Sequence, residues 1–239
     1  MIKSISNLII ARTNKALHDS GLDTTELLKK SCISTYEIET AGVRLSDNQY
    51  YSFIDFGSKY LSLWSEDAVK FITNHNNIDL AYSLFPQLTS LCLNEKSAYE
   101  SLVCYINNRV IIGNVEEIII SIKSDETKIT IIDHSPGKIN TVPLIGVMTH
   151  LYSLVKTYHP TIKIKAGFST NNYKDTISNF FGTSCEFNQE HNYIVFSNKD
   201  LFSENPIFNP FLYKYQKAEI ERETTSLLQN NSFVNTVIT

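Results

Sequence analysis

Asp133-His134 sets a carboxylate beside an imidazole, a pairing that hydrolases use to draw a proton from a nucleophile. No Gly-x-Ser-x-Gly elbow and no cysteine in a nucleophile's setting accompanies it, so a turn at a strand end is the simpler reading. The other histidines, His18, His75, His150, His159 and His191, lack the spacing that puts two imidazoles on one helix face for zinc. His150, beside Met148 and Tyr152 in a predicted helix, could line a pocket, but ordinary packing or a satisfied hydrogen bond accounts for it more simply. Cys32, Cys92, Cys104 and Cys185 are far apart and form no Cys-x-x-Cys, so they read as small buried hydrophobes in a reducing cytosol. The acidic pairs Glu66-Asp67, Glu116-Glu117 and Glu219-Glu221 read as solvated faces or helix starts. No glycine-rich loop is present to cradle a phosphate. The chain is therefore expected to be no enzyme, with no catalytic residue, no metal site and no cofactor.

The elements that hold these residues are legible in the apolar spacing. A chain of 239 residues, 42% hydrophobic, can bury a substantial core. Its net charge of -4 excludes the overall basic excess that grips many phosphates. No stretch approaches the ~20 apolar residues of a membrane helix, and the N-terminus lacks a secretory cleavage site. The expectation is a cytoplasmic protein with no membrane partner. Helical spacing predicts helices near Ile5–His18, Thr24–Lys30 and Asp47–Phe56, with Asp23, Ser46 and Asp47 as start signals. Further helices are predicted at Ser65–Thr73, Asn77–Pro86 and Asn94–Asn107, which makes the first half an all-helical layer.

From Val110 the period changes. Val115–Lys123 and Lys128–Asp133 are β-branched runs joined by Ser124-Asp125-Glu126-Thr127, a predicted hairpin. Pro143 falls in the first turn of a predicted helix Thr141–Tyr158 that stops before His159-Pro160. A strand Thr161–Phe168, a helix Tyr173–Phe181 ending at Gly182 and a second hairpin of Ser184–Phe187 with Tyr193–Ser197 follow. Tyr213–Leu228 is strongly charged at helical spacing and reads as a linker helix or a dimer stripe. The predicted fold class is α+β: an N-terminal helical layer on a small, mostly antiparallel sheet with crossing helices, closed by the C-terminal helix. Its divisions are 1–109 (helical), 110–210 (sheet-containing, forming one sensing domain with the first) and 211–239.

Two stretches carry a family resemblance. Gly21-Leu22-Asp23, Leu27-Leu28 and Val43-Arg44-Leu45-Ser46 precede the helix from Asn48. Near the other end stand Tyr173, Phe181-Gly182, Cys185, Phe187, Asn192, Val195-Phe196 and Leu201. In order and spacing this pattern, from about Ile5 to Leu212, resembles the N-terminal effector-sensing domain of AraC-type bacterial transcription regulators. The resemblance implies transcriptional control, a small effector and a homodimer. It also implies DNA contact through a C-terminal helix-turn-helix part that has no counterpart in these residues. On that expectation Tyr213–Leu228 is the linker and Ser232–Thr239 the first turns of the DNA-binding part.

Aromatic residues crowd the helical half, and an apolar wall with a few polar tips suits a small hydrophobic effector. If a cavity exists where helices meet sheet, its predicted lining is Phe53, Tyr60, Trp64, Phe85, Tyr105, Met148 and Tyr152. The alternative is a ligand-free dimerisation or partner-binding module with a solid core, acting as a short regulator.

Overall fold

Ser4-Ile5-Ser6 forms a short strand, β1, antiparallel to β2 (Arg44–Ser46), with Ile5 opposite Leu45. The computed structural model describes residues 3–19, 21–61, 69–70, 73, 77–135, 142–182 and 185–237, with the backbone alone at 60, 61, 77 and 230–237. Around this strand pair lie α1 (Asn7–Asp19), α2 (Thr25–Lys30), α3 (Thr35–Glu39) and α4 (Asp47–Leu61). The first half is thus not all-helical: three-residue strands are too short to display a two-residue period. Ser34 and Glu37 form a reciprocal cap at the start of α3. At α4, Ser46 Oγ accepts from the Gln49 N–H while the Gln49 side chain accepts from the Ser46 N–H. Asn7 is buried, and its amide nitrogen donates to the carbonyls of Glu37, Ile38 and Thr40, which ties the end of α3 to the start of α1. Ile5, Ile10, Leu27, Leu45, Phe53 and Val115 fill a small core here.

The larger core begins with α5 (Asn77–Leu84), α6 (Pro86–Leu93) and α7 (Ala98–Asn107), followed by a 3-10 turn at Arg109–Ile111. The predicted helix Asn77–Pro86 is α5, and Pro86, whose missing N–H costs nothing in a first turn, opens a further helix, α6, that the apolar spacing does not predict. The predicted helix Ser65–Thr73 lies mostly outside the described residues. A five-stranded sheet of β3 (Glu117–Ile122), β4 (Glu126–Ile132), β5 (Ile164–Gly167), β6 (Cys185–Glu186) and β7 (Asn192–Ser197) has the order β3-β4-β7-β5-β6. β6 and β7 are not a hairpin. β7 inserts antiparallel between β4 and β5, and β6 runs parallel to β5 at the far edge. The alternation in β7 explains its place: Asn192, Ile194 and Phe196 are buried on one side, which a central strand provides.

The central helix α8 (Val142–Tyr158) buries nine of its residues, among them Ile145, Met148, Leu151 and Val155, and packs on the sheet's inner face. Each such large apolar side chain contributes roughly 1.5–3 kcal/mol of burial. On the outer face Gly167 sits under the Tyr193 ring, and a Cβ there would lie 2.1 Å from it. α9 (Lys174–Phe181) stops at Gly182, whose φ of +75° suits glycine. The short α10 (Asn198–Leu201) leads to α11 (Pro210–Val237), a single helix that includes residues 232–237 of the segment expected to start a new domain. No helix among the described residues is long and apolar enough to cross a membrane.

Candidate functional site

α11 is held to the body by amides rather than by a wholly apolar seam. Its inward stripe, at helical spacing, is Tyr213, Gln216, Ile220, Thr224 and Leu227, of which Gln216 and Ile220 are buried. Asn94, at the end of α6, donates to Gln216 Oε1 (3.0 Å) and to the Asn209 carbonyl (3.1 Å), and accepts from the Asn209 N–H (2.9 Å). Gln216 in turn donates to Ser90 Oγ, and Thr224 donates to Asn108 Oδ1. Asn209 also accepts from the Phe211 and Leu212 N–H groups, capping the helix it anchors.

Below this clamp α11 borders a cleft of about 240 Å³. One wall is the β1–β2 arm with the first turn of α1, through Val43, Arg44 and Leu8; another is the α5–α6 corner, with Leu84, Phe85 and Leu88; Glu223 and Leu227 of α11 border it on a third side. The Arg44 guanidinium donates to the Ile111 carbonyl (2.8 Å) and to Ser4 through its carbonyl and hydroxyl. Burial without a carboxylate beside it pulls its pKa down to about 10. Burial also raises the Glu223 carboxyl above its ordinary value. The cleft is therefore mainly apolar, with a cation on the arm and an acid on the long helix.

A second polar node lies between the two cores. Arg109 donates to Tyr105 Oη (2.7 Å) and to Glu116 Oε2 (2.5 Å), and the side chains of Arg109 and Glu116 are only 10% and 4% exposed. Burial works against the Arg109 charge, but Tyr105 and Glu116 outweigh it and hold its pKa above the usual value. Burial, with the Glu116 charge, raises Tyr50 and Tyr51 as well, and Tyr51 donates to the Val115 carbonyl (3.0 Å). Among the described residues Arg109 Nε has no partner. The node fixes the junction of helices and sheet, and it presents no paired acid and base to a substrate.

The predicted lining residues are dispersed. Met148 is fully buried, and Tyr152 packs on Phe180 and Phe181. The Tyr105 ring lies 4.7 Å from that of His150. These three belong to the larger core, whereas Phe53 belongs to the small one. Phe85 is the predicted residue that borders the cleft. The side chain of Tyr60 and the whole of Trp64 lie outside the described residues. Sequence reasoning passed over Arg44, Asn94, Gln216, Glu223 and Leu227. Arg44 carried one signal, its place in the Val43–Ser46 motif; the amides carried the weaker one of polar residues on an apolar stripe. Asp133 and His134 turn to different partners: Asp133 accepts from Ser135, and His134 lies 3.0 Å from Glu117. No group of three or more potential metal ligands occurs among the described residues.

Neither a family model nor a curated protein matches the chain. Solved structures do. The transcriptional regulator CdpR from Pseudomonas aeruginosa superposes with a TM-score of 0.53 at 10% identity, over 84% of this chain and 63% of that one. An H-NOX protein from S. oneidensis superposes more loosely, with a TM-score of 0.46 at 10% identity, over 86% of this chain and 100% of that one. The chain thus spans under two thirds of the CdpR chain, and at such identity the likeness to CdpR is one of fold.

Proposed function

We propose that this chain is the sensing and dimerising part of an AraC-type transcription regulator. It holds a small hydrophobic effector in the cleft beneath α11 and biases a DNA-binding domain through that helix. The observation that carries the reading is the cleft's composition from two parts. Leu84, Phe85 and Leu88 belong to the body, and Glu223 and Leu227 to the long helix, so an occupant touches both. A ligand that prefers one setting of the helix over another shifts their populations by its differential affinity. The full burial of Met148 and Phe53 in the predicted lining supports a site at this junction rather than in the helix–sheet core. A fold shared with a transcriptional regulator supports the class. No catalytic step enters the mechanism.

Thermal unfolding of the full chain against a set of small apolar compounds tests this. Compounds that raise the melting temperature should lose their effect in Leu84→Trp, which fills the cleft from a half-buried position. Stabilisation that survives Leu84→Trp places the effector elsewhere.

The rival, a ligand-free dimerisation or partner module, draws on a different observation. Ile207, just before α11, and Phe211 and Tyr215, at its start, are 79%, 88% and 65% exposed, apolar surface fit for a protein partner. Absence of any stabilising compound, with a stable complex formed through this patch, would favour it.

A further inference from the structure

β3 is an edge strand. Its inner edge pairs with β4 in unbroken register from Glu117–Ile132 to Ile122–Thr127, and no described strand pairs with its outer edge. Proteins blunt such edges with proline, a bulge or an inward charge, because unpaired N–H and C=O groups invite another strand. Glu-Ile-Ile-Ile-Ser-Ile has no proline, and the unbroken register leaves no bulge to turn the edge away. Ile119 and Ile122 are 43% and 52% exposed. The strand is also held firm at its turn, where Asn198 donates to the carbonyls of Lys123 and Ser124 and accepts from Thr127.

The charges at its ends have opposite signs, Glu117 at the start and Lys123 just past the finish. A two-fold axis through Ile120 sets a second β3 antiparallel to the first. Glu117 then faces the partner's Lys123, Ile118 faces Ile122, and Ile119 faces Ser121. Parallel pairing in register would set Glu117 against Glu117 and Lys123 against Lys123, which is repulsive. We propose that the outer edge of β3 takes β3 of a second copy of this chain, antiparallel about Ile120, so that the two sheets become one. This rests on the dimerising role proposed above and names its surface. One strand pair covers less than the roughly 1,600 Å² of a standard interface, so the dimer dissociates on dilution through the micromolar range.

Sedimentation velocity of the full chain across that range is the test. Dimers are expected, and Lys123→Glu, which sets like charges against each other at both ends, should weaken them by roughly tenfold or more. The exchange Glu117→Lys with Lys123→Glu should restore them. Ile119→Lys, at an exposed position, should weaken them while circular dichroism stays unchanged. A dimer indifferent to Lys123→Glu and Ile119→Lys, or one that the double exchange fails to restore, overturns this interface and leaves dimerisation standing. A chain that stays monomeric at the highest concentration overturns both.

Discussion

Replacing Glu116 by alanine strands the Arg109 guanidinium in a place that is 10% exposed, with Tyr105 as its remaining partner. Breaking a buried pair from one side costs about 3–5 kcal/mol, whereas replacing both ions by apolar groups of similar size is near neutral. Glu116→Ala should therefore lower the urea-unfolding free energy by about 3 kcal/mol, and Arg109→Met with Glu116→Leu should lower it less. If the single and double variants are equally unstable, the pair is no more than two well-packed side chains. Gly167 offers a second residue-scale test, because a methyl there meets the Tyr193 ring. Gly167→Ala should cost about 1–3 kcal/mol, and Tyr193→Ala in the same chain should recover much of it. Little in the sequence distinguishes these residues. Glu116 sits in an acidic pair that resembles a solvated face, and its burial is decided by Arg109 across the 3-10 turn. Arg44 is likewise half-buried through contacts with Ser4 and Ile111, which are remote from it in sequence.

At the scale of elements, the Asn94 clamp makes α11 part of the domain. Asn94→Ala removes the donor to Gln216 Oε1 and the Asn209 carbonyl and the acceptor of the Asn209 N–H, leaving the buried Gln216 oxygen unpaired at a cost of about 1–3 kcal/mol. Amide exchange in residues 209–220 should quicken while that of the sheet stays unchanged; equal quickening everywhere would mean global destabilisation instead. Helices with clear starts and apolar stripes, such as α4, α8 and α9, were legible because their signals are local. The three-residue strands β1 and β2 carried too few residues for a period, and α6, only eight residues long and lacking a side-chain cap at its start, gave no clear helical signal. The place of β7 was hidden for another reason. Its neighbours β4 and β5 are far away in the chain, and only their shared buried face selects them. The cleft is assembled from the β1–β2 arm, the α5–α6 corner and α11, so no local motif announces it.

At the scale of the whole molecule, the two cores are joined where Ser6 donates to the Ile112 carbonyl, Asn114 donates to the Ser4 carbonyl, and Gly113 lies against Ile5. The tyrosines at this junction give a global readout. Burial, first of all, raises Tyr50 and Tyr105 above the ordinary phenol value. In the unfolded chain they titrate near pH ~10, so above that pH the unfolded state releases protons that the folded state keeps. Stability is then fully present below pH ~10 and falls as pH rises past it. Absorbance titration should show Tyr50 and Tyr105 ionising only on alkaline unfolding, as a class separate from any that ionises reversibly in the folded chain. A single reversible class would mean that the junction opens to water in the native state. The amide clamp has a mechanical corollary. Gripped at Gln216 and again at Thr224, α11 runs on to Val237, so the part beyond Thr224 is a lever of ~20 Å at ~1.5 Å per residue, and a ~10° tilt there sweeps the tip through ~3 Å. A displacement of under ~1 Å at Leu227, three residues past that hold, would thereby be geared up about fourfold at the far end.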